Sequence, residues 1–282
     1  RRMTDFRHGR VLFVGDAAHQ VSPFGARGAN SGFQDADDLM WKLALVIKGQ
    51  ASEKLLDTYA HDRQFAADEN IMNSTRSTDF ITPKSRTSKT FRNQVLALAK
   101  HYPFARKLVN SGRLSVPSFL TGSVLNTPDA DAFEGNMVPG APMDDAPVQV
   151  AGQDAWLLDQ VGKGFQILWF VDASPSPAQL AQLADVGVQA DCARPGAGAH
   201  AQPLKPTILI VAPRLLSIPG MDVIVDTQGL VAKRYDATPG TTYLLRPDQH
   251  VVARWRGLNA NAVQAALARA TGLNVGGHMD QA

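Results

Sequence analysis

The chain has 282 residues and a formal net charge of +2, and 44% of its residues are hydrophobic while 19% are charged. This is the composition of a globular protein with a sizeable core, and the length suits one large or two ordinary domains. Scattered charges of both signs give no basic patch for nucleic acid, and no apolar run reaches the roughly 18 residues of a membrane span. The single cysteine, Cys192, excludes a disulfide framework, a CxxC pair and a cysteine metal site, so we expect a cytoplasmic protein.

The most informative stretch begins with the apolar run Val11 to Val14, which has a β-branched residue at each end. This pattern predicts a strand that is covered on both faces. Gly15 permits a sharp turn at the end of that strand, and Asp16 places a carboxylate there. The carboxylate can accept hydrogen bonds from the hydroxyl groups of a sugar or polyol.

Three glycines, Gly25, Gly28 and Gly32, come next and leave backbone N–H groups uncovered before a helix that we predict to begin near Asn30 or Ser31. The start of a helix has unpaired N–H donors and a partial positive charge, so it favours an anion or a polarised carbonyl group. Strand, acidic turn and glycine-rich helix start together predict a cradle for a cofactor.

No G-x-G-x-x-G follows this strand, so the order differs from that of a dinucleotide fingerprint. Instead, Gly15-Asp16-Ala17-Ala18-His19, then Pro23, Gly25, Gly28, Asn30 and Gln34-Asp35-Ala36, resembles the second FAD-binding motif of the class A flavin-dependent aromatic hydroxylases. This resemblance implies that Asp16 accepts hydrogen bonds from the ribityl chain of FAD. The cofactor-binding residues that it implies are Gly15, Asp16, Pro23, Gly25, Arg27, Gly28, Ala29 and Asn30.

The same resemblance implies a monooxygenase that uses FAD, NAD(P)H and O₂ to hydroxylate a phenolic or related aromatic compound. In that family, roughly the first half of the protein precedes this motif and holds the pyrophosphate-binding loop. We therefore expect the chain to be the C-terminal part of a hydroxylase. Alone, it should bind FAD weakly or not at all and turn over no substrate. The implied protein partner is a second copy in a homodimer or the first half of the same protein; neither nucleic acid nor a membrane is an expected partner.

Helical spacing predicts helices from Ser31 to Lys48, closed by Gly49, and from Ser52 toward Ile71. Apolar residues at that spacing, from Phe33 to Ile47, would form one face of the first helix. Pro83 predicts a break, and a further helix follows over residues 90–110 with a kink or restart at Pro103.

Residues 111–147 are rich in proline and glycine and are predicted to link two domains, either as a segment that crosses the surface or as a flexible linker. Beyond them we predict helices at Ala155–Gly162, Ser176–Leu183, Gly229–Tyr235 and Ala260–Thr271. We predict strands at Phe165–Val171, Val186–Ala190, Ile208–Val211 and Met221–Val225, and a hairpin of Thr241–Arg246 with His250–Arg256. This order resembles the thioredoxin-like domain that ends phenol hydroxylase. The predicted fold class is α/β, with part of an FAD-binding domain over 1–110 and a thioredoxin-like domain over 148–275.

Several polar residues of these segments are better explained by structural than by chemical roles. His19 is predicted to be a hydrogen-bonded structural residue, and Trp41 to be part of the core. Gln34, Asp35 and Asp38 complement the dipole of the helix start, and Arg63 is predicted to form a buried ion pair. Arg76, Asp79 and Lys84 are predicted at the surface, Cys192 as an inert thiol, and His200, His250 and His278 without metal-ligand spacing.

No residue can be assigned as a catalytic acid or base from this sequence. Two other functions remain open beside hydroxylation. One is a thioredoxin-fold module that serves assembly or binding and has no catalytic activity. The other is a related flavoprotein that carries out dehydrogenation or epoxidation.

Overall fold

The computed structural model describes residues 1–23, 25–109, 116–162, 164–184, 186–187, 203–221 and 223–273. Contacts between Cα atoms divide the chain into two compact units. Unit 1 comprises Arg1–Leu39 and Tyr59–Ser118, and unit 2 comprises Met40–Thr58 and Phe119–Ala282. The predicted domains over 1–110 and 148–275 remain a prediction.

Unit 1 begins with a small hairpin of β1 (Arg7–His8) and β2 (Val11–Leu12), which pair in an antiparallel register. The prediction of a strand covered on both faces over Val11 to Val14 is wrong. Ladder pairing ends at Leu12, and Val11 is 55% exposed. In the described chain β2 pairs with β1 alone, so Val11 is left uncovered. The predicted turn at Gly15 is confirmed, as a short 3₁₀ turn over Gly15–Ala17.

Four helices follow: α1 (Arg27–Ile47), α2 (Leu55–Ile81), α3 (Arg86–Ala99) and α4 (Pro103–Val109). The predicted break at Pro83 and the restart at Pro103 are both confirmed. The predicted closure at Gly49 is also confirmed, since the amides of Gly49 and Gln50 donate to carbonyl groups in the last turn of α1. Helix α2 continues to Ile81, well beyond the predicted Ile71, because no proline or glycine interrupts it.

Helix α1 begins at Arg27 rather than near Asn30, so Gly28 and Gly32 lie inside its first turns and only Gly25 precedes it. The apolar residues that recur at helical spacing do not all lie on a buried face. Phe33, Met40 and Ile47 recur every seven residues and are all exposed. The buried positions include charged residues instead: Asp35, Asp38 and Lys42 are each at most 2% exposed. Periodicity locates the helix but not the side that faces the protein.

Unit 2 is built on a seven-stranded sheet in the order β4-β3-β7-β6-β5-β8-β9. The strands are β3 (Pro147–Val150), β4 (Gln153–Trp156), β5 (Gln166–Phe170), β6 (Thr207–Ala212), β7 (Val223–Val225), β8 (Thr242–Leu245) and β9 (Val251–Trp255). The three central strands β7, β6 and β5 run parallel, and every other pairing is antiparallel. The α/β class is therefore confirmed.

Most of the predicted elements of this unit are present, including the hairpin of β8 and β9. Helices α5 (Pro177–Ala184), α6 (Leu230–Arg234) and α7 (Ala260–Ala270) lie close to their predicted positions. The helix predicted over Ala155–Gly162 is wrong in its first half. Residues 153–156 form β4 after a tight turn at Ala151 and Gly152, and one 3₁₀ turn follows. The parallel pair β5 and β6 and the final hairpin with α7 are compatible with a thioredoxin-like domain, which stays a prediction.

The core of unit 2 lies against the parallel strands. All five residues of β5 are buried, and Phe170, Tyr235 and Tyr243 contact one another through their rings. Met137, Ala141 and Ala146 belong to the same cluster, so this part of the segment predicted as a linker packs into the core. Trp41 is buried and meets Phe165 edge to face, as predicted for a core residue.

None of the helices in the described ranges is long and apolar enough to cross a membrane. Cys192, His200 and His278, and residues 188–190 of the strand predicted at Val186–Ala190, lie outside the described residues. Val186 and Gly187 are described and are not part of a strand.

Candidate functional site

The turn that contains Gly15 and Asp16 is held against the second and third turns of α1. The Gly15 amide donates to Asp35 Oδ2 at 2.9 Å. A Cβ atom on Gly32 would lie 3.3 Å from the Gly15 Cα, so the two glycines allow strand end and helix to approach closely. Just before the turn, the Tyr59 hydroxyl donates to the Phe13 carbonyl. The backbone at the acidic turn is therefore fixed on two sides.

Asp35 is the centre of a buried network. Its Oδ2 also lies 2.6 Å from His19 Nε2, and its Oδ1 accepts from Arg63 Nε at 2.7 Å. All three side chains are at most 4% exposed. The predicted hydrogen-bonded structural role of His19 and the predicted buried ion pair of Arg63 are confirmed. Asp35 is structural, but the prediction that it complements the helix dipole is wrong, because α1 begins at Arg27 and has no acid in its first turn. The network binds the acidic turn, α1 and α2 into one rigid piece of unit 1.

The ionisation of Asp35 depends on these partners. Burial alone would raise the pKa of its carboxyl group, but the hydrogen bond with His19 and the positive charge of Arg63 lower that pKa below the ordinary value. The same buried setting raises the pKa of the Tyr59 hydroxyl, and the charge of Asp35 adds to this effect. Asp35 is thus held ionised while Tyr59 stays a neutral donor.

A polar cleft of about 250 Å³ opens at the start of α1 in unit 1. It is lined by Gly25, Arg27, Asn30, Ser31, Gln34, Asn70, Val116, Pro117 and Ser118. Arg27 is buried and donates to Asn70 Oδ1 and, at 2.9 Å, to the Val116 carbonyl. Asn70 in turn donates to Ser31 Oγ at 2.7 Å. The lining is therefore rich in fixed N–H donors.

The structure brings three residues of the predicted cofactor-binding set, Gly25, Arg27 and Asn30, to this cleft. The other five do not line it. Asp16 is exposed on the 3₁₀ turn, and Gly28 lies in α1 beside Val21. Sequence reasoning missed Asn70 and Ser118, which come from distant parts of the chain with no motif around them. It gave Gln34 a structural role, although that residue lies in the quoted motif.

The cleft is smaller than the about 300–1,000 Å³ of sites that enclose a drug-sized ligand. It can therefore take one edge of a large cofactor rather than the whole molecule. Amide donors suit the carbonyl and nitrogen edge of a flavin ring, where negative charge develops on reduction. The exposed carboxylate of Asp16 suits polyol hydroxyls, so the residues present fit the ring and ribityl parts of FAD.

Comparison with known proteins agrees with this fit. Residues 1–74 match the family described as FAD binding domain. The chain is 29% identical over 282 residues to a 3-(3-hydroxy-phenyl)propionate/3-hydroxycinnamic acid hydroxylase of Mycolicibacterium gilvum, with 98% of this chain and 47% of the relative covered. It is 31% identical to the enzyme of the same name in Mycobacterium sp. strain JLS, with 96% and 46% covered. The chain is thus similar to FAD-dependent aromatic hydroxylases, and residues 1–74 belong to the matched FAD binding domain.

A solved structure shows the same fold. The flavin-dependent monooxygenase PieE, determined in complex with FAD and substrate, superposes on 96% of this chain with a TM-score of 0.69 at 21% identity, and 49% of the PieE chain is covered. The present chain spans about half the length of the curated hydroxylases that it matches. The α/β fold and the relation to FAD-binding hydroxylases predicted from the motif are confirmed.

Proposed function

We propose that this chain forms the part of an FAD-dependent aromatic monooxygenase that grips the ribityl chain and one edge of the flavin ring. The observation that carries the proposal is the close approach of Gly15 to Gly32, tightened by Asp35, which sets the acidic turn beside the second and third turns of α1. A donor-rich cleft opens at the first turns of the same helix. Acid and amide donors near one helix start are what a polyol joined to a polarised ring requires.

The proposed cofactor-binding residues are those of the motif, Gly15, Asp16, Pro23, Gly25, Arg27, Gly28, Ala29 and Asn30. Asp16 would accept from ribityl hydroxyls, while Asn30 and the backbone near Gly25 would face the ring edge. Arg27 would act mainly by holding Asn70 and the Val116 carbonyl in place. FAD, when bound, would be the group that NAD(P)H reduces and that activates O₂. The protein would bind and orient the ring and keep water from it.

The names of the curated relatives suggest a phenolic carboxylic acid as the substrate of the whole protein. We propose NAD(P)H as reductant, a cytoplasmic location, and a thioredoxin-like domain over residues 148–275. A homodimer, or the first half of the same protein, is the proposed protein partner. An assembly module without catalytic activity is the weaker candidate, because the FAD-binding match covers the acidic turn and most of the residues that line the cleft.

The test uses the longest gene product that contains this chain. We expect it to purify with bound flavin and to oxidise NAD(P)H faster when 3-(3-hydroxyphenyl)propionate is added, with matching O₂ uptake. Labelled O₂ should place one oxygen atom in the product. A colourless protein that cannot be loaded with FAD would favour the assembly module. Oxidation of the substrate without incorporation of label would favour a dehydrogenase.

Asp16→Asn is expected to weaken FAD binding about 10-fold or more, because a hydrogen bond to a charged group contributes about 1.5–3 kcal/mol. Flavin fluorescence on titration of the apoprotein of that gene product measures the affinity. Asp159→Asn removes the same charge from an exposed site in unit 2 and should leave the affinity unchanged. Equal FAD affinity in the Asp16 variant and the native protein would remove Asp16 from the site.

A further inference from the structure

A second cleft, of about 150 Å³, lies within unit 2 at the carboxyl ends of the parallel strands β5, β6 and β7. Phe170 and Val211 from the strand ends contribute to its largely apolar lining, together with Ala212, Ala237 and Pro239. In open α/β sheets, ligands bind outside the carboxyl ends of parallel strands. All residues of this cleft belong to unit 2, so binding here would not depend on the proposed flavin site.

One polar side chain is buried in this apolar lining. Asp226 follows β7 and is 4% exposed. Its Oδ2 accepts from the Ala232 amide at 2.8 Å, and its own amide donates to the Ala212 carbonyl at 2.9 Å. Its Oδ1 is buried and has no hydrogen-bond partner among the described residues. Buried polar atoms in folded proteins nearly always have a partner, so this oxygen calls for a donor.

The size and chemistry of the cleft limit which kind of ligand could carry that donor. An apolar cavity of about 150 Å³ accommodates benzene, so one six-membered ring fits here. A carboxylate oxygen accepts hydrogen bonds from hydroxyl or amine groups and donates none when ionised. Asp172 at the rim adds a second acid, which disfavours an anionic ligand.

We propose that this cleft binds a single-ring aromatic molecule that carries one hydrogen-bond donor, such as a phenol or an aromatic amine. The ring would lie among Phe170, Val211 and Ala237, and the donor would reach Asp226 Oδ1. Among the described residues, the Ala232 amide uses Oδ2 alone, so Oδ1 is left available to a ligand.

The first measurement compares three probes on the full chain by isothermal titration and ligand-observed NMR. Phenol has the ring and the donor, toluene has the ring alone, and benzoate has the ring with a negative charge. We expect phenol to bind about 10-fold more tightly than toluene, because its donor would pair with a charged acceptor. Benzoate should not compete with phenol.

Two variants locate the binding. Asp226→Asn keeps the size of the side chain, and its amide oxygen can still accept from Ala232, which turns the NH₂ group toward the cleft. Phenol should then lose most of its advantage over toluene, because the accepting oxygen is replaced by an NH₂ group that can only donate to the phenol oxygen. Ala237→Leu fills the cleft and should abolish binding of both molecules. The controls are Asp159→Asn and Ala265→Leu, which make the same changes at exposed positions and should leave binding unchanged.

Circular dichroism of each variant checks that it folds. If a variant does not fold, the comparison of the three probes on the native protein still tests the proposal. Equal affinity for phenol and toluene would overturn the proposal. So would phenol binding that survives both Asp226→Asn and Ala237→Leu, since the ligand would then occupy another site. Absence of phenol binding at millimolar concentration would also overturn it.

Discussion

Replacing Asp35 by asparagine is expected to lower the free energy of unfolding by about 3–5 kcal/mol, the usual cost of removing one partner from a buried ion pair. The loss is large because the Arg63 guanidinium would stay buried without its carboxylate. The hydrogen bond with His19 would change at the same time. Hydrogen exchange of peptides from β2 to α2 should rise most, since these elements meet at Asp35.

The destabilisation should also depend on pH. The pKa of Asp35 is lowered in the folded protein, so its ionised form contributes stability above its ordinary pKa of 3.8, and this contribution is lost as the pH falls through the folded value. The difference between native protein and variant should therefore be full near neutral pH and shrink below about pH 4. Chemical denaturation at several pH values, followed by far-ultraviolet circular dichroism, measures it.

Asp79→Asn is the matched control for this experiment. Asp79 pairs with Lys84 at 3.2 Å, but both side chains are more than half exposed. Exposed pairs contribute about 0–1 kcal/mol. A loss at Asp35 no larger than the loss at Asp79 would contradict the view that Asp35 organises the acidic turn.

Gly140→Ala is expected to destabilise unit 2 by roughly 3 kcal/mol or more, from a steric clash added to a strained backbone. Gly140 has φ +90°, and a Cβ atom there would lie 2.4 Å from the carbonyl carbon and oxygen of Leu120. Because these are backbone atoms, they cannot rotate away from the added Cβ atom as a side chain could. The Leu120 amide donates to the Gly140 carbonyl, and the Gly140 amide donates to the Val251 carbonyl, so the clash falls where three segments meet.

Substitutions at two other glycines distinguish the cost of the steric clash from the cost of the strained backbone. Gly152 has φ +75°, and a Cβ atom there would meet nothing within 4 Å, so Gly152→Ala should cost only the about 1 kcal/mol of a left-handed alanine. Gly122 lies in open space without a positive φ, and Gly122→Ala should be nearly neutral. All four tryptophans, Trp41, Trp156, Trp169 and Trp255, belong to unit 2, so their fluorescence reports its unfolding. Equal costs at Gly140 and Gly152 would contradict the steric argument.

Elements that depend on neighbouring residues are predictable from the sequence. Pro83 and Pro103 fix helix boundaries because proline lacks an amide hydrogen and restricts the residue before it. The hairpin of β8 and β9 and the helix α7 likewise follow from alternation and spacing. The cofactor motif is recognisable because its glycines and acid occur in a fixed order along a short stretch.

Features that depend on distant partners cannot be predicted in the same way. Nothing near Asn70 in the sequence shows that it bonds to Ser31, 39 residues away. Lys42 is buried and Phe33 is exposed, which is the reverse of what their polarity suggests. Burial on α1 is decided by which segments pack against each side of the helix. The helix predicted in place of β4 is wrong because the pairing of β4 with β3 depends on a turn at Ala151, and alanine is not a usual residue for a positive φ.

Among the described residues that line the cleft of unit 1, Arg27 has the one guanidinium, and it donates to Asn70 and to the Val116 carbonyl. The cleft therefore offers its ligand mainly neutral, directional hydrogen bonds instead of a mobile positive charge. Recognition of this kind selects shape and orientation more than total charge. Ionic strength, which screens exposed charges over about 8–10 Å, should have little influence on how firmly this part of the protein grips a flat polar ring.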